Sequence, residues 1–316
     1  MSIKGALSTR HNKLPRCLKI DIGRWEWEAT VCSIDQNPTA SGVRVLSLDT
    51  TADRYVRSER TLPYLRRKLS QSDVDLTYDY GSDEAVILRY LFYVLPNLTQ
   101  LYLRLSGIED ASYFTRLRET PLLSLKILRV QYLRRQCSLW FSACFGLFDA
   151  APSLEEIRID DCIINPRILN EGLNLPNVRR VRLINAQFFK DDTSSHGTQH
   201  FPRNNCPRLR VVECSFRFDA NADSELFATL SDMLVALEPV ATQLHGLELI
   251  VGTGYPPHEY GRIASLAGFS RLEAVSIATE FIEDISCFVR TLPRSVSRLY
   301  LHIAKSKVVE FTLNGT

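Results

Sequence analysis

Charged and aromatic residues recur at one position of a spaced pattern that runs along the whole chain. The pattern places three apolar residues in the order apolar-x-x-apolar-x-apolar, and its fifth position lies between the last two of them. If the end of the pattern is a strand, the fifth side chain points away from the apolar pair, and successive copies align as a column across a sheet. The residues at this position are Lys19, Ser47, Asp75, Tyr102, Arg129, Arg158, Arg182, Glu213, Glu248, Ser276 and Tyr300.

Arginine occupies the fifth position in three successive copies, as Arg129, Arg158 and Arg182. Neighbouring strands lie about 4.8 Å apart, so three guanidinium groups would stack in one column. Like charges opposite one another in a sheet are unfavourable, so the cluster needs acidic partners. These are either internal, from neighbours such as Asp160 and Glu213, or external, from an acidic or phosphorylated peptide held by charge-assisted hydrogen bonds.

The column and its flanks are the predicted surface for binding a partner. Arg104 and Arg180 stand beside the arginine column, and the two tyrosines offer flat amphipathic contact area nearer its ends. The predicted partner-binding residues are Tyr102, Arg104, Arg129, Arg158, Arg180, Arg182, Glu213, Glu248 and Tyr300.

Other spacings in the chain do not match catalytic or nucleotide-binding motifs. His196, His200 and Cys206 crowd one insertion, where chance enrichment of a polar loop is favoured over a zinc site. We therefore expect no enzyme activity, no catalytic residue, no metal and no cofactor. Polar loops at 190–205 and 251–261 are alternative surfaces for a partner, or simply tolerated variation.

The same apolar pattern predicts the elements that position these residues, because it is the strand signature of a leucine-rich repeat. Its copies start 24 to 35 residues apart, with weak copies starting at Pro15 and Gln71. Strands are predicted near 18–20, 46–48, 74–76, 101–103, 128–130, 157–159, 181–183, 212–214, 247–249, 275–277 and 299–301. Helices are predicted at 83–95, 109–119, 139–150, 223–238, 258–268 and 281–292.

Strand and helix in alternation predict an α/β leucine-rich-repeat solenoid. We expect a horseshoe with a parallel β-sheet on the concave face and helices on the convex face. Residues 1–14 are a predicted lead-in, and residues 15–316 are predicted to form one domain of about eleven repeats.

Composition limits the classes of partner and the cellular compartments that we expect for the chain. The 316-residue chain has 23% charged residues and a net charge of +2, too small for its overall field to attract nucleic acid. Its start, MSIKGALSTRHNK, lacks the apolar stretch of a secretory signal, and no run reaches the length of a membrane span. We expect a cytoplasmic or nuclear protein that binds neither nucleic acid nor membrane.

Four segments carry a resemblance to a known family. LPNLTQLYLRL (95–105), APSLEEIRIDDC (151–162), LPNVRRVRLINA (175–186) and CPRLRVVECSF (206–216) resemble the degenerate, ribonuclease-inhibitor-like repeats of fungal F-box proteins. The resemblance implies a non-catalytic protein-binding scaffold that recognises a substrate for a ubiquitin ligase.

In that family an N-terminal F-box binds the adaptor of a cullin-based ligase. Here no F-box is recognisable, because Leu14-Pro15 leads into a strand, LKIDI, rather than into the helix that opens an F-box. A cullin adaptor is therefore an expected partner only if the F-box is supplied elsewhere. The alternative is a regulator of the ribonuclease-inhibitor type, which binds a protein and has no ubiquitin role.

Overall fold

A computed structural model describes most of the chain as two compact units. The described residues are 16–21, 27–37, 39–50, 61–71, 83–105, 121–133, 139–140, 144–164, 175–188, 206–218, 228–254, 256, 260–303 and 307–313. The first unit comprises Met1–Cys137 and Ala143–Leu154, and the second comprises Ser138–Ser142 and Glu155–Thr316.

Among its described residues the first unit has four parallel strands, in chain order. They are β1 (Cys17–Asp21), β2 (Val45–Asp49), β3 (Gln100–Leu105) and β4 (Ile127–Tyr132). Equivalent pattern positions face each other in every pair: Leu18 lies opposite Leu46, Leu46 opposite Leu101, and Leu101 opposite Leu128. The repeat in the sequence is thus a repeat in the register of the sheet.

Four α-helices lie in the described part of the first unit. They are α1 (Trp27–Asp35), α2 (Thr61–Ser70), α3 (Asp83–Val94) and α4 (Phe145–Ala150). Helix α3 contacts both α2 and α1, and α1 also contacts β1. Helix α2 tolerates Pro63 because a proline in the first turn removes an N–H that has no partner within the helix.

The described part of the second unit contains nine strands. They are β5 (Leu139–Trp140), β6 (Glu156–Asp160), β7 (Cys162–Ile164), β8 (Arg180–Phe188), β9 (Val211–Arg217), β10 (Gly246–Thr253), β11 (Ala274–Ala278), β12 (Arg298–Ile303) and β13 (Lys307–Thr312). The main sheet runs β6-β8-β9-β10-β11-β12-β13, parallel except for the antiparallel β12–β13 pair. A short second sheet joins β5, β7 and the end of β8.

The second unit also contains two described helices with side-chain caps. Helix α5 (Leu230–Leu237) begins with a capping box, in which Thr229 and Asp232 satisfy each other's backbone N–H groups. Helix α6 (Ile285–Arg290) begins at Asp284, whose carboxylate accepts from the N–H of Cys287. Each cap thus fixes the residue at which its helix begins.

Burial follows the predicted pattern strand by strand. The apolar fourth and sixth positions form the core, as in Leu46 and Leu48 of β2 or Ile157 and Ile159 of β6, all 0% exposed. The fifth positions are partly exposed in every described copy, and the one half-buried fourth position is Val181. The sheets therefore have an apolar side and a polar side, which fits a solenoid of leucine-rich-repeat type.

One strand was predicted between β2 and β3, and the sheet has no strand at that place. The prediction at 74–76 lies outside the described residues, and β2 pairs directly with β3, so no strand separates them. That order in the sheet was wrong. The interval between these strands instead carries two helices, α2 and α3.

Three other predicted helices have different outcomes. The helix at 139–150 is wrong at its start, where Leu139–Trp140 form strand β5, whereas Phe145–Ala150 form helix α4. The helix at 258–268 is wrong for its described part, where Gly261 has a φ of 84° and Ile263 forms a parallel bridge with Ile282. The helix at 109–119 lies outside the described residues. Strand β13 was not predicted, because its antiparallel return does not follow the repeat.

None of the helices in the described segments is long and apolar enough to cross a membrane. The placement of helices on the convex side of a horseshoe stays a prediction.

Candidate protein-binding face

The side of the sheet that carries the fifth-position residues is called the open face below. In the first unit, Lys19 lies opposite Ser47, Ser47 opposite Tyr102, and Tyr102 opposite Arg129. The predicted column is therefore formed, with the correction that Asp75 does not stand between Ser47 and Tyr102.

An aromatic and a guanidinium group stack on the open face of the first unit. The guanidinium carbon of Arg129 lies 5.0 Å from the centroid of the Tyr102 ring, within the range of a cation–π contact. The Tyr102 hydroxyl donates to Gln100 Oε1 at 2.8 Å. Arg104, which is 47% exposed, pairs with Asp49 through Nη1 and Oδ2 at 2.7 Å. Both arginines thus have contacts within the chain.

The second unit has a column of fifth-position residues of its own. It runs through six strands and ends on the antiparallel edge strand. Its side chains include basic, acidic, small and aromatic types. In register order the residues are Arg158, Arg182, Glu213, Glu248, Ser276, Tyr300 and Glu310.

Three arginines on the open face of the second unit are paired with carboxylates of the same face. Arg158 holds Asp160 with two hydrogen bonds, Nε to Oδ1 at 2.8 Å and Nη2 to Oδ2 at 2.9 Å. Arg180 and Arg182 both donate to Glu213. This is the arrangement that the internal interpretation of the arginine cluster predicts.

The same contacts set the protonation of these groups. Burial raises the pKa of Glu213, but hydrogen bonds from Arg180 and Arg182 and their positive charges outweigh it, so the pKa lies below its ordinary value. Hydrogen bonding to Asp160 raises the pKa of Arg158, and hydrogen bonding to Glu213 raises the pKa of Arg180. The cluster is charged on both sides at neutral pH.

A groove of about 470 Å³ lies on the open face of the second unit, over β9 to β13. Two histidines help to form its wall: His245 Nδ1 lies 2.9 Å from Glu273 Oε1, and His302 Nε2 lies 2.8 Å from Ser276 Oγ. The charged residues that line it are Glu213, Glu248, Glu273 and Arg298. We call this cavity the C-terminal groove.

Only part of the predicted site lines this groove. Glu213, Glu248 and Tyr300 do, whereas Arg158, Arg180 and Arg182 are not among its lining residues. His302 and Val308 were missed. The signal for His302 was available, because it lies two residues after Tyr300 on the same strand face. Val308 enters from β13, opposite His302, which the repeat could not reveal.

The two loops that were alternative surfaces, and the possible zinc site, have different outcomes in the structure. The loop at 190–205 lies outside the described residues, together with His196 and His200. Within 251–261, Tyr260 is buried and packs edge-on against Phe218, with ring centroids 4.8 Å apart. Tyr260 is therefore part of the core and not of a binding surface. Among the described residues, no group of three or more His, Cys, Asp or Glu side chains could hold a metal ion.

Comparison with known proteins adds little to this geometry. No family model matches the chain. No curated protein matches it either. Among solved structures, it is similar to the crystal structure of an internalin (inlF) from Listeria monocytogenes str. 4b F2365, at 14% identity over 84% of this chain and 76% of that chain, with a TM-score of 0.29.

Proposed function

We propose that the chain is a non-catalytic scaffold that binds another protein through the open face. One observation carries the proposal: apolar residues are buried on one side of each repeat strand, while the polar and aromatic fifth positions stay partly exposed in register. A regular column of this kind offers many side chains to one extended partner surface. Aromatic and arginine side chains are the types that anchor protein interfaces.

The C-terminal groove gives this surface a concave site. Its wall combines Tyr300 with carboxylates, histidines and the exposed apolar residue Val308. Such a mixture of apolar area and a few polar groups suits a bound side chain or short segment. Nothing in the proposal requires a metal or cofactor.

In the finer proposal the scaffold recognises the substrate of an F-box-like ubiquitin ligase in the cytoplasm or nucleus. The resemblance of the four repeat segments supports it. A cullin adaptor would then join the complex only with an F-box supplied elsewhere. A regulator of the ribonuclease-inhibitor type remains the alternative, because both would use the same face.

Affinity purification from cells separates these two roles. Co-purification of a cullin adaptor, together with accumulation of a bound protein when the proteasome is inhibited, supports the ligase role. A stoichiometric protein partner without adaptor supports the regulator. A variant with Tyr102→Ala and Tyr300→Ala should lose the partner in either case, whereas Tyr93→Ala, at a 47% exposed tyrosine of α3, should keep it.

An acidic or phosphorylated partner is the finer proposal for the arginines. It is supported by the exposure of Arg104 and by the partial exposure of Arg129, which stacks on Tyr102. Replacing Arg129, Arg158 and Arg182 together by Gln should then weaken capture of the purified partner, more strongly at low salt. Equal capture by the folded variant would assign these arginines to internal pairing alone.

A further inference from the structure

We infer that the C-terminal groove binds a basic side chain of the protein partner, arginine or lysine, with Glu248 as the residue that recognises its charge. The inference rests on the proposed function and specifies the chemistry of its partner at one place on the open face.

The charge balance of the groove favours a cation. Its lining holds three carboxylates, Glu213, Glu248 and Glu273, against the single guanidinium of Arg298. Arg180 and Arg182, which lie outside the lining, both pair with Glu213, and the charge of Arg180 also interacts with that of Glu248. Glu273 lies beside His245. Among the described residues, no arginine or lysine pairs with Glu248 in this way. An incoming anion would face these carboxylates.

The shape of the groove places a cation next to Glu248. Ser276 lies opposite Glu248 on one side and opposite Tyr300 on the other. With strands about 4.8 Å apart, a guanidinium resting on this small residue reaches both neighbours. It can form charge-assisted hydrogen bonds with the carboxylate and stack on the aromatic ring. A bulky residue in place of Ser276 would fill this position.

The first unit already contains the same contact within the chain. Arg129 lies over the ring of Tyr102, its register partner in the neighbouring strand, at 5.0 Å. A guanidinium on a tyrosine one strand away is therefore a geometry that this sheet accommodates. At Tyr300 the adjacent fifth position is Ser276, and among the described residues no cation–π contact with Tyr300 is found, so a partner can supply the cation.

The test is a selection of random peptides, displayed on phage, against the immobilised full chain. Selected peptides are synthesised, and their affinities are measured for the wild type and for Glu248→Gln, Ser276→Phe and Glu283→Gln. Glu283 is exposed and outside the groove, so its variant is the matched control for the loss of one negative charge. Circular dichroism and melting curves check that each variant folds.

We expect selected peptides to share an arginine or lysine, and binding to weaken about tenfold to hundredfold with Glu248→Gln. Replacing the peptide arginine by citrulline, or a peptide lysine by acetyl-lysine, should cause a similar loss, as should Ser276→Phe. Glu283→Gln should bind like the wild type.

Two results would overturn the inference. In the first, the selected peptides lose binding with Ser276→Phe but share no basic residue, or they bind Glu248→Gln as tightly as the wild type. The proposed function would then stand, but the groove would not be a site for a basic side chain. If no selected peptide depends on any residue of the open face, both the inference and the proposed function fall.

Discussion

Glu213 and Glu248 lie opposite each other in neighbouring parallel strands. Two carboxylates in register repel unless positive charge is supplied nearby. Arg180 and Arg182 supply it to Glu213 by direct hydrogen bonds, while Glu248 acts on Arg180 only through its charge. The column thus changes at this pair from a carboxylate held directly by two arginines to one, Glu248, that has no direct arginine or lysine partner among the described residues.

The lowered pKa of Glu213 predicts a loss of stability in acid. A carboxyl whose pKa is lower in the folded than in the unfolded chain stabilises the fold above its unfolded pKa. That stability is lost as the pH falls through the folded pKa, so the window begins at roughly pH 4.3 and extends downward. Melting temperatures of the wild type and Glu213→Gln should therefore differ at neutral pH and converge in acid. A constant difference across this range would contradict the pairing.

The core positions of the pattern should not tolerate charge. Leu128 and Ile157 are 0% exposed in their strands, so Leu128→Asp and Ile157→Asp bury a carboxylate at a cost of several kcal/mol. We expect both variants to melt much earlier than the wild type or to be unfolded. Arg129→Ala, on the open face, should cost only about 1 kcal/mol. Equal losses for all three variants would show that the assigned register is wrong.

A glycine near the end of β10 provides a test of the local backbone. Gly254 has a φ of 79°, and an added Cβ would overlap the carbonyl oxygen of Phe218. Gly254→Ala should cost at least the roughly 1 to 2 kcal/mol of a left-handed alanine. Gly268→Ala is the control, because an added Cβ there meets nothing within 4 Å. Chemical denaturation of both variants measures the difference, and an unperturbed Gly254→Ala would refute this backbone geometry.

The sequence predicted the strands well because the apolar period is a property of the buried side of the sheet. Leu18 and Ile20 belong to the weakest copy, yet both are buried in β1. The prediction failed where the apolar period does not determine the structure. Between β2 and β3 the expected strand at 74–76 was inferred from spacing alone, whereas that interval carries two helices.

The candidate site was less predictable than the strands. Alternation along each strand identified which side chains share the open face, such as Glu248 and Tyr300. It offered Glu213 as one possible partner of the arginine column, but it could not show that Arg180 would also donate to Glu213, because that long side chain reaches across to a neighbouring strand. Nor could it show the groove, which needs the antiparallel return of β13 beside β12. Side-chain reach and edge pairing lie beyond a one-dimensional pattern.

Photo-crosslinking tests the central claim, binding through the open face, most directly. Tyr102, Tyr300 and the exposed Tyr93 of α3 are replaced one at a time by p-benzoylphenylalanine, and the chain is irradiated in cells. Binding through the open face predicts protein adducts from positions 102 and 300 and little from position 93, with the adduct identified by mass spectrometry. Adducts from position 93 at equal or greater yield, with none from positions 102 and 300, would contradict it.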